Sequence, residues 1–317
     1  MKKDLLSVAD LNKQEMEALF SFAIKMKKQT KAGRCPKMLA DKTLAMIFEK
    51  PSLRTRVTFE TGMTQLGGHG IFLEMQLGKR ESTPDIARNV NRWVDLIMAR
   101  TFSHKSVTDL AEHTDIPVIN ALSDLEHPCQ ILADFLTILE HKKKLKGLKL
   151  AYIGDGNNVC NSLLLAAATM GMNMTVGCPQ GYDPDKSVWD KSQELAAKSK
   201  CALQILRDPR EAVKNADIIY TDVWASMGQE TEKELRARIF APYQVNQQLV
   251  DAAKKDVMVL HCLPAHRGDE ITDEVLDGPH SQVLDEAENL MHIQKAVMVT
   301  LYKNAQKIRK NSGKKKK

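Results

Sequence analysis

Leu148-Lys149-Leu150-Ala151-Tyr152-Ile153-Gly154-Asp155-Gly156-Asn157-Asn158 is the stretch whose reading decides the fold. Leu148–Ile153 is a mostly apolar, strand-like run, and two glycines among polar residues then break it. From about Asn158 to Thr169 the apolar residues recur at helical spacing. A strand that passes through a glycine turn into a helix is the repeating piece of a parallel sheet. Downstream the rhythm continues, with strand-like runs at Met174–Gly177, Leu203–Leu206, Asp217–Thr221 and Val257–His261 and a helix over Val188–Lys198. This alternation predicts a doubly wound α/β domain over residues 148–286.

The residues upstream repeat the pattern. Asn12 and Glu15 form a capping-box start, and Met16, Leu19, Phe20, Ala23 and Met26 share one face of a helix that Gly33 ends. Short apolar runs follow at Thr43–Phe48, Ile71–Glu74, Leu96–Ala99 and Val118–Asn120, with a helix opened by Thr83-Pro84 between them. A long helix is expected over His127–His141, and Lys142–Gly147 breaks it. The expected organisation is therefore a first doubly wound domain over residues 1–141 and a second over 148–286. A final amphipathic helix, about 287–308, is expected to return to the first domain.

The chain has 317 residues, 43% hydrophobic and 27% charged, enough for two domains with cores of their own. That apolar fraction, the 16 glycines and the 6 scattered cysteines exclude a disordered, collagenous or disulfide-stapled chain. With no Cys-x-x-Cys pair, zinc and redox readings lack their spacing. No apolar run approaches the roughly 20 residues of a membrane span, and Met1-Lys2-Lys3-Asp4 does not open a signal peptide. A cytoplasmic location with reduced thiols is the expectation. The formal charge of +6 comes from Arg309–Lys317, where six basic residues stand without an acid; without them the chain holds 40 basic and 40 acidic residues. This tail reads as disordered and solvated. A nucleic-acid-binding role for it would show as steep salt dependence, and no recognition motif accompanies it.

Ligands of doubly wound sheets bind beyond the carboxyl ends of the strands, so polar clusters just after strand-like runs carry the most weight. Four qualify. Ser52-Leu53-Arg54-Thr55-Arg56 places two hydroxyls and two guanidiniums at a helix amino terminus, which suits a phosphate and equally suits a capped helix with solvated arginines. In His127-Pro128-Cys129-Gln130 an imidazole and an amide three residues apart share one helical face and can address one small ligand, or serve only as a cap. Gly154-Asp155-Gly156-Asn157-Asn158 resembles a dinucleotide fingerprint, but its third glycine is replaced by Val159, which leaves the asparagines to bind a charged group or cap a helix. Last, Asp222 with Ser226-Met227-Gly228, and His261-Cys262-Leu263-Pro264, put an acid and a thiol at strand ends, where they could bind and deprotonate an amine. Cys262 also reads as a nucleophile, or as an inert small residue.

Taken in order, these clusters closely resemble those of the ornithine carbamoyltransferases, from about residue 4 to residue 305. Aspartate carbamoyltransferases share the first two clusters but not the Ser-Met-Gly loop or the His-Cys-Leu-Pro turn. Carbamoyl transfer to aspartate, putrescine or acetylornithine is thus the second reading. The resemblance implies a carbamoyl-phosphate domain, an ornithine domain, a homotrimer with active sites between subunits, a place in arginine metabolism, and no metal or organic cofactor.

Residue by residue, the resemblance assigns Ser52, Leu53, Arg54, Thr55 and Arg100 to carbamoyl phosphate, with Gln76 contributed to a neighbouring subunit. His127 and Gln130, with the backbone of Cys262 or Leu263, would address the carbamoyl group. Asn158, Asp222, Ser226, Met227 and Cys262 match the ornithine contacts, and Arg54, Arg100, His127, Asp222 and Cys262 are the expected catalytic set. Leu290 stands where the resemblance leads one to expect an arginine. Weaker carbamoyl-phosphate binding, or compensation by Arg267 or Lys79, is the expectation there.

Overall fold

The computed structural model describes residues 2–225 and 230–314. The chain divides into two compact units. The first gathers residues up to Ala133 together with those from Glu288 onward, and the second is Asp134–Ala287. The division falls inside the helix Pro128–Lys142 rather than in the Lys-rich stretch that follows it. Leu132, Ala133, Phe135 and Leu136 of this helix are all buried.

Four parallel strands form the sheet of the first unit: β1 (Thr43–Phe48), β2 (His69–Glu74), β3 (Leu96–Arg100) and β4 (Val118–Leu122), in the order β2-β1-β3-β4. Both β1 and β3 are almost wholly buried, which accounts for their unbroken apolar sequences. β2 is an edge strand, and its exposed His69, Ile71 and Glu74 explain why the apolar pattern alone placed its start two residues late. In the second unit five parallel strands take the order β7-β6-β5-β8-β9, with β5 (Lys149–Ile153), β6 (Asn173–Gly177), β7 (Leu203–Leu206), β8 (Ile218–Thr221) and β9 (Met258–His261).

Each order has one reversal, between β1 and β3 in the first sheet and between β5 and β8 in the second. These are the switch points at which neighbouring strands send their connections to opposite faces of a doubly wound sheet.

The last helix runs Val283–Lys314, so residues 309–314, expected to be disordered, continue it. Adding a residue to an existing helix costs little, lysine and arginine are good helix formers, and positive charge suits a helix carboxyl end. Residues 315–317 lie outside the described residues.

Glycine chemistry shapes the turn after β5. Gly154 has φ of +145°, and a Cβ on Gly156 would lie 2.3 Å from the Asp183 carbonyl carbon and the Pro184 nitrogen, both backbone atoms. The Gly156 N–H also donates to the Tyr182 carbonyl (2.9 Å), locking the turn against that segment. Gly156→Ala should therefore cost about 1–3 kcal/mol by overpacking. A lowered thermal midpoint is the expected readout; an unchanged one contradicts the packing described.

Candidate functional site

In the first unit the polar residues gather at the β1/β3 switch point. Arg100 is the last residue of β3 and the register partner of Phe48, the last of β1. The Glu49 N–H donates to the Arg100 carbonyl (2.9 Å), so the turn leaving β1 starts beside this buried guanidinium. Ser52 then caps the helix Leu53–Gln65: its Oγ accepts the Thr55 N–H (3.3 Å) and donates to Thr55 Oγ1 (3.0 Å). Leu53, Arg54 and Thr55 are thus the first helical residues, where N–H groups lack intrahelical acceptors and the dipole end is positive. The Leu53 side chain is 75% exposed, so this position offers a ligand its backbone.

His127 enters from β4. The turn after Leu122 is closed by the Ser123 N–H to the Glu126 carbonyl (2.9 Å) and the Glu126 N–H to Ser123 Oγ (3.2 Å). His127 and Gln130 follow, both buried, at the start of the next helix. Burial, reinforced by the Arg100 charge, pushes His127 down to about 3, so its imidazole is neutral at physiological pH. A neutral imidazole can donate one hydrogen bond to a carbonyl oxygen while remaining uncharged beside arginine.

Glu49, which the sequence reading did not single out, ties this half together. One carboxylate oxygen accepts the Leu77 N–H (2.8 Å) and the other the Phe102 N–H (2.7 Å), joining the loops after β2 and β3. Gln76 is exposed on the first of these loops. Lys50, buried after the same strand, lies over the Phe102 ring (4.6 Å).

In the second unit three strand ends stand side by side: Ile153 pairs with Thr221, and Thr221 with His261. Asp222 follows directly and is buried. Its Oδ1 accepts the Cys262 thiol (3.1 Å) and its Oδ2 accepts Asn157 Nδ2 (2.8 Å). Burial first, and the Asp222 carboxylate second, push the Cys262 thiol well above its usual range. The residue therefore serves as a neutral donor rather than a thiolate.

Of the paired asparagines, Asn157 is the cap, its Oδ1 accepting the Val159 and Cys160 N–H groups, while Asn158 begins the helix Asn158–Met170. Asn157 reaches Asp222 through its amide nitrogen (2.8 Å). The expected contacts Ser226 and Met227 lie outside the described residues.

Arg236 anchors the chain on either side of that segment. Its guanidinium donates to the Trp224 carbonyl (2.9 Å), to Asp155 (2.8 Å) and to Glu232 (2.9 Å). The signal for it in sequence was no more than a basic residue in a polar helix.

Ligand-bearing atoms of Asp222, His261 and Cys262 lie within 4.8 Å of one another, which raises the question of a metal. However, His261 Nδ1 accepts the Leu263 N–H (2.8 Å) and Nε2 bonds Glu270 (3.0 Å). With both nitrogens engaged the set falls to a thiol and a carboxylate, short of the three protein ligands usual for a catalytic zinc.

Leu290 is 2% exposed and packs in the first unit, supplying no charge. Arg267, the first candidate for compensation, pairs with Asp273 (2.7 Å) and Asp277 (2.6 Å) in the second unit. Lys79 is exposed.

Both units are thus doubly wound parallel α/β structures with polar clusters at their switch points, the class in which such crevices bind small ligands. The chain belongs to the aspartate/ornithine carbamoyltransferase family: residues 3–140 match its carbamoyl-phosphate-binding domain and residues 146–301 its aspartate/ornithine-binding domain. It is 52% identical over 299 residues to the ornithine carbamoyltransferase of Thermococcus kodakarensis, covering 93% of this chain and 95% of that one. Identity to the Archaeoglobus fulgidus ornithine carbamoyltransferase is 52% over 302 residues, 94% of this chain and 97% of the other. The solved ornithine carbamoyltransferase of Pyrococcus furiosus superposes with a TM-score of 0.91 at 51% identity, covering 93% and 95% of the two chains.

The neutral, buried His127 has a consequence for stability. It takes up a proton on unfolding wherever the pH lies between about 3, its folded value, and 6.5. Its contribution is present at neutral pH and is lost as pH falls through 6.5, by about 2 kcal/mol between pH 7 and pH 5. Denaturant titrations at the two pH values should show His127→Gln losing about that much less than the unsubstituted chain. Identical pH dependence in both would contradict a neutral His127.

Proposed function

We propose that the chain transfers the carbamoyl group of carbamoyl phosphate to the side-chain amine of L-ornithine, releasing L-citrulline and phosphate in arginine metabolism. The observation that carries this reading is a pair of complementary clusters. Cations and a helix amino terminus occupy one switch point, and a thiol–carboxylate pair occupies the other.

In this reading Ser52, Leu53, Arg54, Thr55 and Arg100 hold the phosphate, which brings about two negative charges to guanidiniums and a positive dipole end. Arg100, His127 and the Thr55 hydroxyl donate to the carbamoyl oxygen, Gln130 and the backbone around Cys262 and Leu263 take its amide, and Gln76 serves a neighbouring copy. Leu290 adds no charge, so the donor's charge rests on Arg54 and Arg100. On the acceptor side Asn158, Asp222, Ser226, Met227 and Cys262 receive ornithine.

An amine of this kind has a pKa of about 10.4 and must lose a proton before attack. The Cys262 thiol already holds its proton, which leaves the Asp222 carboxylate or the departing phosphate to accept the one from the amine. The nitrogen then bonds to the carbamoyl carbon, and negative charge develops on the oxygen opposite the three donors. One such donor is typically worth about 3–4 kcal/mol. Collapse of the intermediate breaks the bond to the phosphate oxygen, and phosphate leaves with the electron pair.

A homotrimer is supported by surface chemistry. Leu53 (75% exposed) and Val57 (50%) stand one turn apart on one helix, and Ile71 (39%) lies on the edge strand β2, apolar surface that a partner copy would cover. No helix among the described residues is long and apolar enough to cross a membrane; we place the enzyme in the cytoplasm.

A citrulline-forming assay tests the proposal. The chain should turn over carbamoyl phosphate with ornithine in preference to aspartate, putrescine or acetylornithine. Arg54→Ala should lower kcat/KM by at least about 100-fold. Citrulline formation that survives this substitution would remove the phosphate cradle from the mechanism.

A further inference from the structure

Behind the His261–Leu263 turn lies a buried polar chain that the transfer chemistry leaves unused. Asp134 (0% exposed), Tyr220 (0%) and Glu286 (1%) come from three different elements of the second unit. Glu286 accepts the His261 N–H on Oε2 (3.1 Å) and the Tyr220 hydroxyl on Oε1 (3.3 Å), and its carboxyl is hydrogen-bonded to that of Asp134. Two ionised carboxylates are acceptors only, so a hydrogen bond between them needs a proton on one of the two. Leaving both charged at full burial would be costly.

Glu286 leads from this pair to the acceptor cluster. The N–H that Glu286 accepts belongs to His261, whose own ring accepts the Leu263 N–H. Leu263 sits at φ of +56°, a left-handed conformation that is strained for a side-chain-bearing residue and persists only where neighbours enforce it. Between these two residues is Cys262, aimed at Asp222. Negative charge on Asp134 and Glu286 also acts on the Cys262 thiol, as does that of Asp222. Among the polar groups facing Glu286 are Asp134 from the helix Pro128–Lys142, Tyr220 from β8, and His261 with Cys262 at the end of β9. Glu270 lies on the far side of the His261 ring.

We propose that Asp134 and Glu286 share one proton and act as a positioning pair, Glu286 fixing the turn that presents Cys262 to Asp222. The shared proton spares that turn a second buried negative charge. Burial raises Glu286 above its ordinary range, in keeping with a retained proton. The proposal rests on the reading of Cys262 and Asp222 as the ornithine half-site.

Three variants, Glu286→Gln, Glu286→Ala and Asp134→Asn, decide the matter when citrulline formation is followed against pH with separate KM values for ornithine and carbamoyl phosphate. Glutamine keeps an oxygen for the His261 N–H and offers its amide N–H to Asp134, imitating the singly protonated pair. Glu286→Gln and Asp134→Asn are expected to hold kcat within about twofold at neutral pH and to lose the part of the alkaline decline that comes from ionising the pair. Glu286→Ala is expected to raise the ornithine KM about tenfold or more with the carbamoyl-phosphate KM unchanged.

The proposal is overturned if Glu286→Gln is as damaged as Glu286→Ala, if the alkaline limb is the same in both conservative variants and the unsubstituted enzyme, or if Glu286→Ala weakens both substrates alike. Should the alanine variant not fold, the pH profiles of the two conservative variants still decide. An unsubstituted chain that makes no citrulline overturns the underlying functional reading instead, and is a distinct result.

Discussion

A parallel sheet wound in both directions has one seam where adjacent strands part company, one sending its connection above the sheet and the next below. Loops at that seam cannot close over the strand ends, and whatever polar residues follow those strands are left together in a crevice. The constraint operates twice in this chain. At the β1/β3 seam it joins Ser52, Arg54 and Thr55 to Arg100, and at the β5/β8 seam it joins Asn157 to Asp222, with Cys262 arriving from the adjoining β9. The two clusters differ in kind because the residues after the strands differ: hydroxyls and guanidiniums on a helix amino terminus in one case, a carboxylate with a thiol and an amide in the other.

Net charge says little about such a site. The basic excess lies in the last nine residues and the rest is balanced at 40 against 40. Yet the first crevice attracts an anion, because Arg100 is buried at the edge of the turn and the helix dipole points the same way. Its own burial first, and the same cation second, hold His127 neutral, which makes the imidazole a hydrogen-bond donor without a second full charge. In the second crevice burial, and then the Asp222 carboxylate, keep the Cys262 proton in place. Acid–base roles here follow from desolvation and neighbours rather than from residue type.

Most of the architecture was legible in the sequence, because buried parallel strands write themselves as short apolar runs: β1 and β7 appear with their observed bounds. Edges blurred where a strand faces solvent or ends in a polar residue, as with His69 at the start of β2 and Arg100 at the end of β3. The Lys-rich end was misjudged up to Lys314, since charge density alone does not stop an established helix.

Polar residues that follow a strand directly were singled out from position alone. Those that act across the fold were not. Glu49 bridges to Leu77 and Phe102, Arg236 reaches Asp155, and Glu286 meets His261 and Asp134, contacts that no local pattern encodes because the partners are tens to more than a hundred residues apart. The central claim is that one crevice binds the phosphate donor and the other activates the amine. Calorimetric titration of carbamoyl phosphate into Arg54→Ala and Asp222→Ala, alongside citrulline assays of both, tests it most directly. The account predicts that Arg54→Ala loses carbamoyl-phosphate binding, whereas Asp222→Ala binds it normally and makes no citrulline; normal binding by Arg54→Ala, or lost binding by Asp222→Ala, would contradict it.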